Sequence, residues 1–110
     1  MSKTSKFYNG NCYQNAFNYV DANKGWTLVH GTPTLQAGPH AGKRFGHAWA
    51  EKGGLVYDGE KGITLPKELY YAIGNITYTV KYTRTQARAM AVKHKTYGAW
   101  DKTIQGALHS

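Results

Sequence analysis

Cysteine is almost missing from this chain: Cys12 is the single one among 110 residues. One thiol cannot close an intramolecular disulfide, so Cys12 serves either chemistry or the core, where it would be a small buried hydrophobe. Neither Cys nor His recurs at zinc-ligand spacing, so no metal and no other cofactor is expected. Acidic residues are few, 6 against 14 Lys and Arg, and the net charge is +8. That balance favours an anionic partner, a nucleic acid or an acidic protein. The charge is spread along the chain, however, with no helix-turn-helix, zinc-finger or RNP-type motif beside it. Long apolar runs are absent as well, and nothing approaches the roughly 20 residues of a membrane span. The polar opening Met1-Ser-Lys-Thr-Ser-Lys6 lacks the apolar stretch of a signal peptide. The expectation is a cytoplasmic protein without a membrane partner. Internal repeats are missing too.

What the chain does have is 41% hydrophobic and 14% aromatic residues, with nine Tyr and three Trp to dominate one modest core. A single domain over residues 1–110 is expected, with a polar lead at 1–8, in which Phe7 and Tyr8 are anchors, and a tail at 99–110.

Asn9-Gly10-Asn11 is turn chemistry, and Asn11 is a natural N-cap. A helix follows from Cys12, with Tyr13, Ala16, Phe17 and Val20 at i, i+3, i+4 and i+7. Asp21 to Gly25 ends it. Trp26 to His30 reads as a strand. Residues 31–44 form a long loop with three glycines and two prolines, either one wall of a substrate site or plain connection. Phe45 to Asp58 is a hairpin. Beyond the turn at 59–62, Thr64-Leu-Pro-Lys-Glu68 suggests a cap with proline in the first turn of a helix that turns Leu65, Leu69, Ala72 and Ile73 inward. Residues 75–82 alternate as a strand, and Thr83-Arg-Thr-Gln86 has capping-box spacing. The helix it opens should run to about Gly98, with Ala87, Met90, Ala91 and His94 on one face and His94 in a structural role. In the tail, Trp100, Ile104 and Leu108 recur every four residues, a last amphipathic turn or a frayed end. Together these elements predict an α+β fold, an N-terminal helix packed on a small antiparallel sheet of roughly four strands.

The hairpin carries the chemistry. With the turn centred on Lys52 and Gly53, His47 stands directly opposite Asp58; with the turn on Gly53 and Gly54, Asp58 faces Trp49 and is diagonal to His47 at roughly 7 Å. Both registers keep the two side chains on one face. A carboxylate beside an imidazole fixes its tautomer and stabilises its protonated form. A thiol in a helix start meets unpaired amides and the positive end of the dipole, which favour the reactive anion. Cys12, His47 and Asp58 therefore suit the roles of nucleophile, base and orienter, with Trp49 and His30 as candidates for the substrate side. An oxyanion would take the Cys12 amide and one side-chain amide from Asn9, Asn11 or Gln14.

The order of Cys12 at a helix start, Gly46-His47-Ala48-Trp49 followed by Glu51, and Asp58 after the next turn resembles the transglutaminase-like and papain-like cysteine superfamily. Asn11-Cys12-Tyr13, Leu28-Val29-His30-Gly31, Gly46-His47-Ala48-Trp49 and Tyr97-Gly98-Ala99-Trp100 are also similar to small uncharacterised proteins of phages and bacteria. The resemblance implies a cysteine-dependent enzyme acting on an amide or ester of a protein, peptide or small molecule, with hydrolysis favoured over transfer. The alternative is a non-enzymatic accessory protein that binds nucleic acid or an acidic host protein through its basic surface. Separately, Leu28-Val29-His30-Gly31-Thr32 is similar to the strand that holds nicotinamide in one class of ADP-ribosyltransferases.

Overall fold

A computed structural model describes residues 11–108. In chain order its elements are α1 (Asn11–Ala22), β1 (Thr27–Gly31), β2 (His47–Lys52), β3 (Leu55–Asp58), β4 (Ile63–Pro66), α2 (Lys67–Gly74), β5 (Thr79–Tyr82), α3 (Arg84–His94) and α4 (Lys102–Gln105). The strands form one antiparallel sheet in the order β4-β3-β2-β1-β5. The fold is α+β with an N-terminal helix, as expected, and has one strand more than expected.

Alternation along the strands divides the interior in two. On one face α1 buries Tyr13, Ala16 and Val20 against Leu28, Ala48 and Ala50, joined by Ala87 of α3 and by Trp100 and Ile104 from the tail. On the other face Val29, Trp49 and Val56 pack with Tyr70 of α2 and with Ile76. The aromatic residues take most of both layers: Tyr19 stacks on Tyr57 with ring centroids 4.2 Å apart, and Trp49 stands 5.2 Å from Tyr70.

Several elements depart from the pattern read in the sequence. Ile63 to Pro66 is an edge strand paired to β3, with Leu65 opposite Val56 and Ile63 opposite Asp58, so helix α2 starts only at Lys67. Pro66 thus ends a strand on the sheet edge, where its missing N–H costs no ladder bond. Helix α2 also turns the other way: Tyr70 is buried, while Leu69 and Ile73 are 47% and 56% exposed. Buried carboxylates on the sheet recruit the tyrosine hydroxyls, and the helix rotates to deliver them. The strand expected over 75–82 is shorter, because Asn75 adopts a left-handed conformation that caps α2 and Ile76 donates to Tyr71 O at 3.0 Å. Pairing with β1 begins only at Thr79, opposite Gly31.

The capping box at the start of α3 is present, with Thr83 and Gln86 exchanging side-chain and backbone bonds. Lys95 takes a positive φ and ends α3 before Gly98, leaving His94 exposed at its last turn. The tail is docked rather than frayed. Asp101 caps α4, Trp100 and Ile104 are buried, and Leu108 pairs with the chain entering β2: Gly46 N donates to Leu108 O at 2.7 Å and Leu108 N to Arg44 O at 3.1 Å. The expected anchors Phe7 and Tyr8 lie outside the described residues. Among the described residues no helix is long and apolar enough to cross a membrane.

Candidate active site

Two glycines with positive φ, Gly53 at 56° and Gly54 at 86°, form the tip of the β2–β3 hairpin. Both conformations suit glycine and match the twist of the flanking strands. The turn therefore pairs Ala50 with Tyr57 and Glu51 with Val56, the second of the two registers that the sequence allows. Asp58 is diagonal to His47, on the same face. The diagonal is bridged by the side chains themselves: His47 Nε2 lies 2.9 Å from Asp58 Oδ2, with both residues buried.

Asp58 is a fully satisfied buried carboxylate. Besides His47 it accepts from the Tyr70 hydroxyl at 2.6 Å and, through Oδ1, from the amides of Glu60 at 3.1 Å and Lys61 at 3.3 Å. Desolvation alone would raise its pKa; the hydrogen bond and charge of His47, then the bonds from Tyr70 and Lys61, outweigh that and lower it. For His47, burial pulls toward the neutral ring, but the bond to Asp58, the bond and charge of Cys12, and the charge of Asp58 raise its pKa to about 9. The ring is an imidazolium at neutral pH. Its other nitrogen, Nδ1, is 3.5 Å from Glu60 Oε1.

Cys12 reaches this ring from the opposite side of the sheet. Its helix packs on the Leu28 and Ala50 face, whereas alternation puts His47 with Trp49 on the other, so thiol and imidazole meet at the end of β2 where the strand begins. Glycine permits the approach. A Cβ on Gly46 would lie 2.5 Å from the Tyr13 hydroxyl oxygen, and one on Gly59 would collide with the Asn15 side-chain oxygen. These two glycines flank β2 and β3, and their lack of a side chain lets the first turns of α1 settle against the strand ends. Cys12, His47 and Asp58, expected from sequence as one constellation, stand together in space.

The other expected site residues fare differently. Asn9 lies outside the described residues, Asn11 is the first residue of α1, and Gln14 is exposed in its first turn. Trp49 is wholly buried beneath the site: its Nε1 donates to Glu51 Oε2 at 2.9 Å and its ring centroid is 6.0 Å from that of His47, so it supports the imidazole and is closed to substrate. His30 is not on the substrate side at all. It is sealed in the α1 layer among Tyr13, Tyr82 and Trp100, both ring nitrogens unpartnered, and desolvation lowers its pKa to about 3 despite the charge of Asp101. A histidine so enclosed cannot hold nicotinamide, which removes the ground for the ADP-ribosyltransferase similarity.

Two residues beside the imidazole were not read from sequence. Tyr70 was hidden by a hydropathy pattern that favoured Leu69 and Ile73; the signal available was the donor demand of a buried Asp58. Glu60 looked like turn composition, and only the fold brings it to Nδ1. Among the described residues no group of three or more His, Cys, Asp or Glu is placed to hold a metal ion. No known protein family, curated protein or solved structure matches this chain.

Proposed function

We propose that this protein is a cysteine-dependent acyl-transfer enzyme of transglutaminase-like or papain-like character, hydrolysing an amide or ester. The observation that carries the reading is a buried imidazole held through Nε2 by a buried carboxylate while a helix-start thiol acts on the same ring. In the reaction His47 carries the proton and Cys12 attacks as thiolate, the nucleophilic form of a thiol. Cys12 Sγ attacks the substrate carbonyl carbon, the carbonyl electrons move to oxygen, and the Cys12 amide is a donor to that oxyanion. Collapse re-forms the carbonyl and breaks the bond to the leaving amine or alcohol, which takes the proton from His47.

Acylation then changes the base. The ring is neutral once its proton has gone with the leaving group, and the bond and charge of Cys12, two of the causes that raise the His47 pKa, are lost when the sulfur becomes a thioester. That ring takes a proton from water as the oxygen adds to the thioester carbonyl. The C–S bond breaks, the carboxylic acid leaves, and the thiolate–imidazolium pair is restored. Asp58 keeps its charge throughout and holds the ring in place.

The test is alkylation of Cys12 by iodoacetamide at pH 6 in wild type and in His47→Gln, whose amide can still donate to Asp58. The variant should react roughly tenfold more slowly or worse. Intact-mass analysis with an activated ester should show one acyl adduct, absent in Cys12→Ala. Equal alkylation rates and no adduct overturn the proposal.

One observation favours a second reading, binding of an anionic partner. Lys52, Lys67 and Lys81 surround a cavity of about 230 Å³ with Glu51, on a chain of net charge +8. Binding that weakens with salt and survives Cys12→Ala would mark this as the main role.

A further inference from the structure

A cavity of about 270 Å³ opens on His47, on the side of the sheet away from α1. Three separate stretches wall it: Leu35 and its neighbours in the 31–44 loop, Ile63 and Leu65 of β4, and Ile73 and Tyr70 of α2. The loop is held there by its own bonds, since Arg44 Nη1 donates to Thr32 O and Asn75 O, both at 2.8 Å, and Thr34 N donates to Gly74 O at 2.8 Å. Most of the lining is apolar. Of the polar ones, Tyr70 and His47 bond to Asp58 and Gln36 to the carbonyls of Thr34 and Ile73 at 2.9 and 3.2 Å, while Thr34 and Lys61 complete the lining. Phe45 adds a ring 5.7 Å from that of His47. At the mouth Ile63 and Ile73 are large hydrophobics left 36% and 56% exposed. Neighbouring apolar side chains exposed around a hollow mark a surface that takes an apolar occupant.

We infer that this cavity receives the apolar part of the acyl group whose carbonyl is presented to Cys12, so that the substrates are amides or esters of acyl groups with an aromatic or aliphatic side chain or tail. The inference rests on the acyl-transfer reading above and narrows it. Size sets the class: an apolar cavity of about 150 Å³ takes a benzene ring, so this one accepts about a phenyl ring on a two- or three-carbon link, or a chain of about six carbons. A glutamine carboxamide would face mostly carbon there and would lose hydrogen bonds to water with little to replace them. That places deamidation and glutamine transfer behind hydrolysis of apolar acyl groups.

The test compares three alkylators with one reactive group: iodoacetamide, N-phenethyl iodoacetamide and N-hexyl iodoacetamide. Second-order labelling of Cys12 is followed by intact mass in wild type, Ile73→Glu and Ile63→Glu. Both substituted positions are exposed, and a thermal melt checks that each variant is folded. In wild type the phenethyl and hexyl reagents should label about tenfold faster than iodoacetamide or better, because the apolar arm leaves water before the sulfur attacks. In each variant that ratio should fall toward one. A wild-type ratio near one, with labelling that still slows in His47→Gln, overturns the cavity assignment and leaves the acyl-transfer reading standing. Labelling insensitive to His47→Gln overturns that reading, and this inference with it.

Discussion

At the scale of single residues the site depends on how two buried carboxylates are satisfied. Asp58 takes His47, Tyr70 and two amides; Glu51 takes Trp49 and Tyr71, with Lys67 and Lys81 at 3.7 and 3.4 Å. A buried acid left short of donors costs more than a bond is worth when present. Tyr70→Phe should therefore lower stability by about 1.5–3 kcal/mol in urea unfolding, since the lost bond goes to a charged acceptor. A change below about 0.5 kcal/mol would mean that the hydroxyl does not support Asp58. Asp58→Asn keeps the volume and removes the charge. Its expected outcome is a His47 pKa below the value of about 9 held in the intact pair, read from imidazole NMR resonances against pH. An unchanged midpoint would place the source of the shift elsewhere. His47 and Asp58 were legible in the sequence because a Gly-Gly turn allows few registers and both candidates share a face. Tyr70 was not, because its inward rotation follows from the needs of a residue 12 positions away.

At the scale of elements, local chemistry was readable where neighbours in sequence decide it. Thr83 and Gln86 exchange side-chain and backbone bonds across three residues, so the capping box is visible before any fold. Thr83→Ala should cost about 1 kcal/mol, measured by denaturant midpoint, with no effect on Cys12 labelling. Helix α2 shows the opposite case. Its leucine and isoleucine spacing pointed Leu69 inward, yet Leu69 is outside and Tyr70 inside. Leu69→Lys should accordingly shift stability by no more than about 0.5 kcal/mol, whereas a core leucine would cost several times that. The β4 strand was missed for a related reason, because Thr-Leu-Pro is a good helix entry until an exposed edge of β3 offers it a ladder.

At the scale of the whole molecule, pH acts through groups placed in different layers. His30 has a folded pKa of about 3, below its unfolded value of 6.5, so the unfolded chain binds a proton that the native one refuses, and stability falls as pH drops from 6.5 toward 3. The slope from that one proton is about 1.4 kcal/mol per pH unit. His47 runs the other way: its folded pKa of about 9 lies above 6.5, so its contribution is complete below 6.5 and lost as pH rises through 9. Asp58, lowered in the fold, contributes above its unfolded value of 3.8 and loses that contribution only in acid. From these groups stability should peak near pH 6.5. His30→Phe, which removes two unpartnered nitrogens from an aromatic pocket, should flatten the acid limb without loss at neutral pH. Urea unfolding of both proteins between pH 3 and 9 checks this, and an acid limb of equal slope in the variant would exclude His30 as its cause.

Short-range geometry alone sets the apolar face of α1, the β2–β3 turn, the capping box, and the placing of a histidine and an aspartate on one side of a hairpin. The remaining features depend on surroundings that no local window contains. His30 and His47 are both strand histidines, yet one is sealed without partners and neutral while the other is paired and protonated. The difference is which face each occupies and what packs there, for an imidazole's charge is governed by solvent access and neighbouring charge rather than by its place in the chain. Cys12 likewise meets His47 because Gly46 and Gly59 let α1 close on the strand ends, and because a docked tail fixes the chain at residues 44–46 where it enters β2. Those contacts join segments dozens of residues apart, and packing, which acts on all of them at once, selects them.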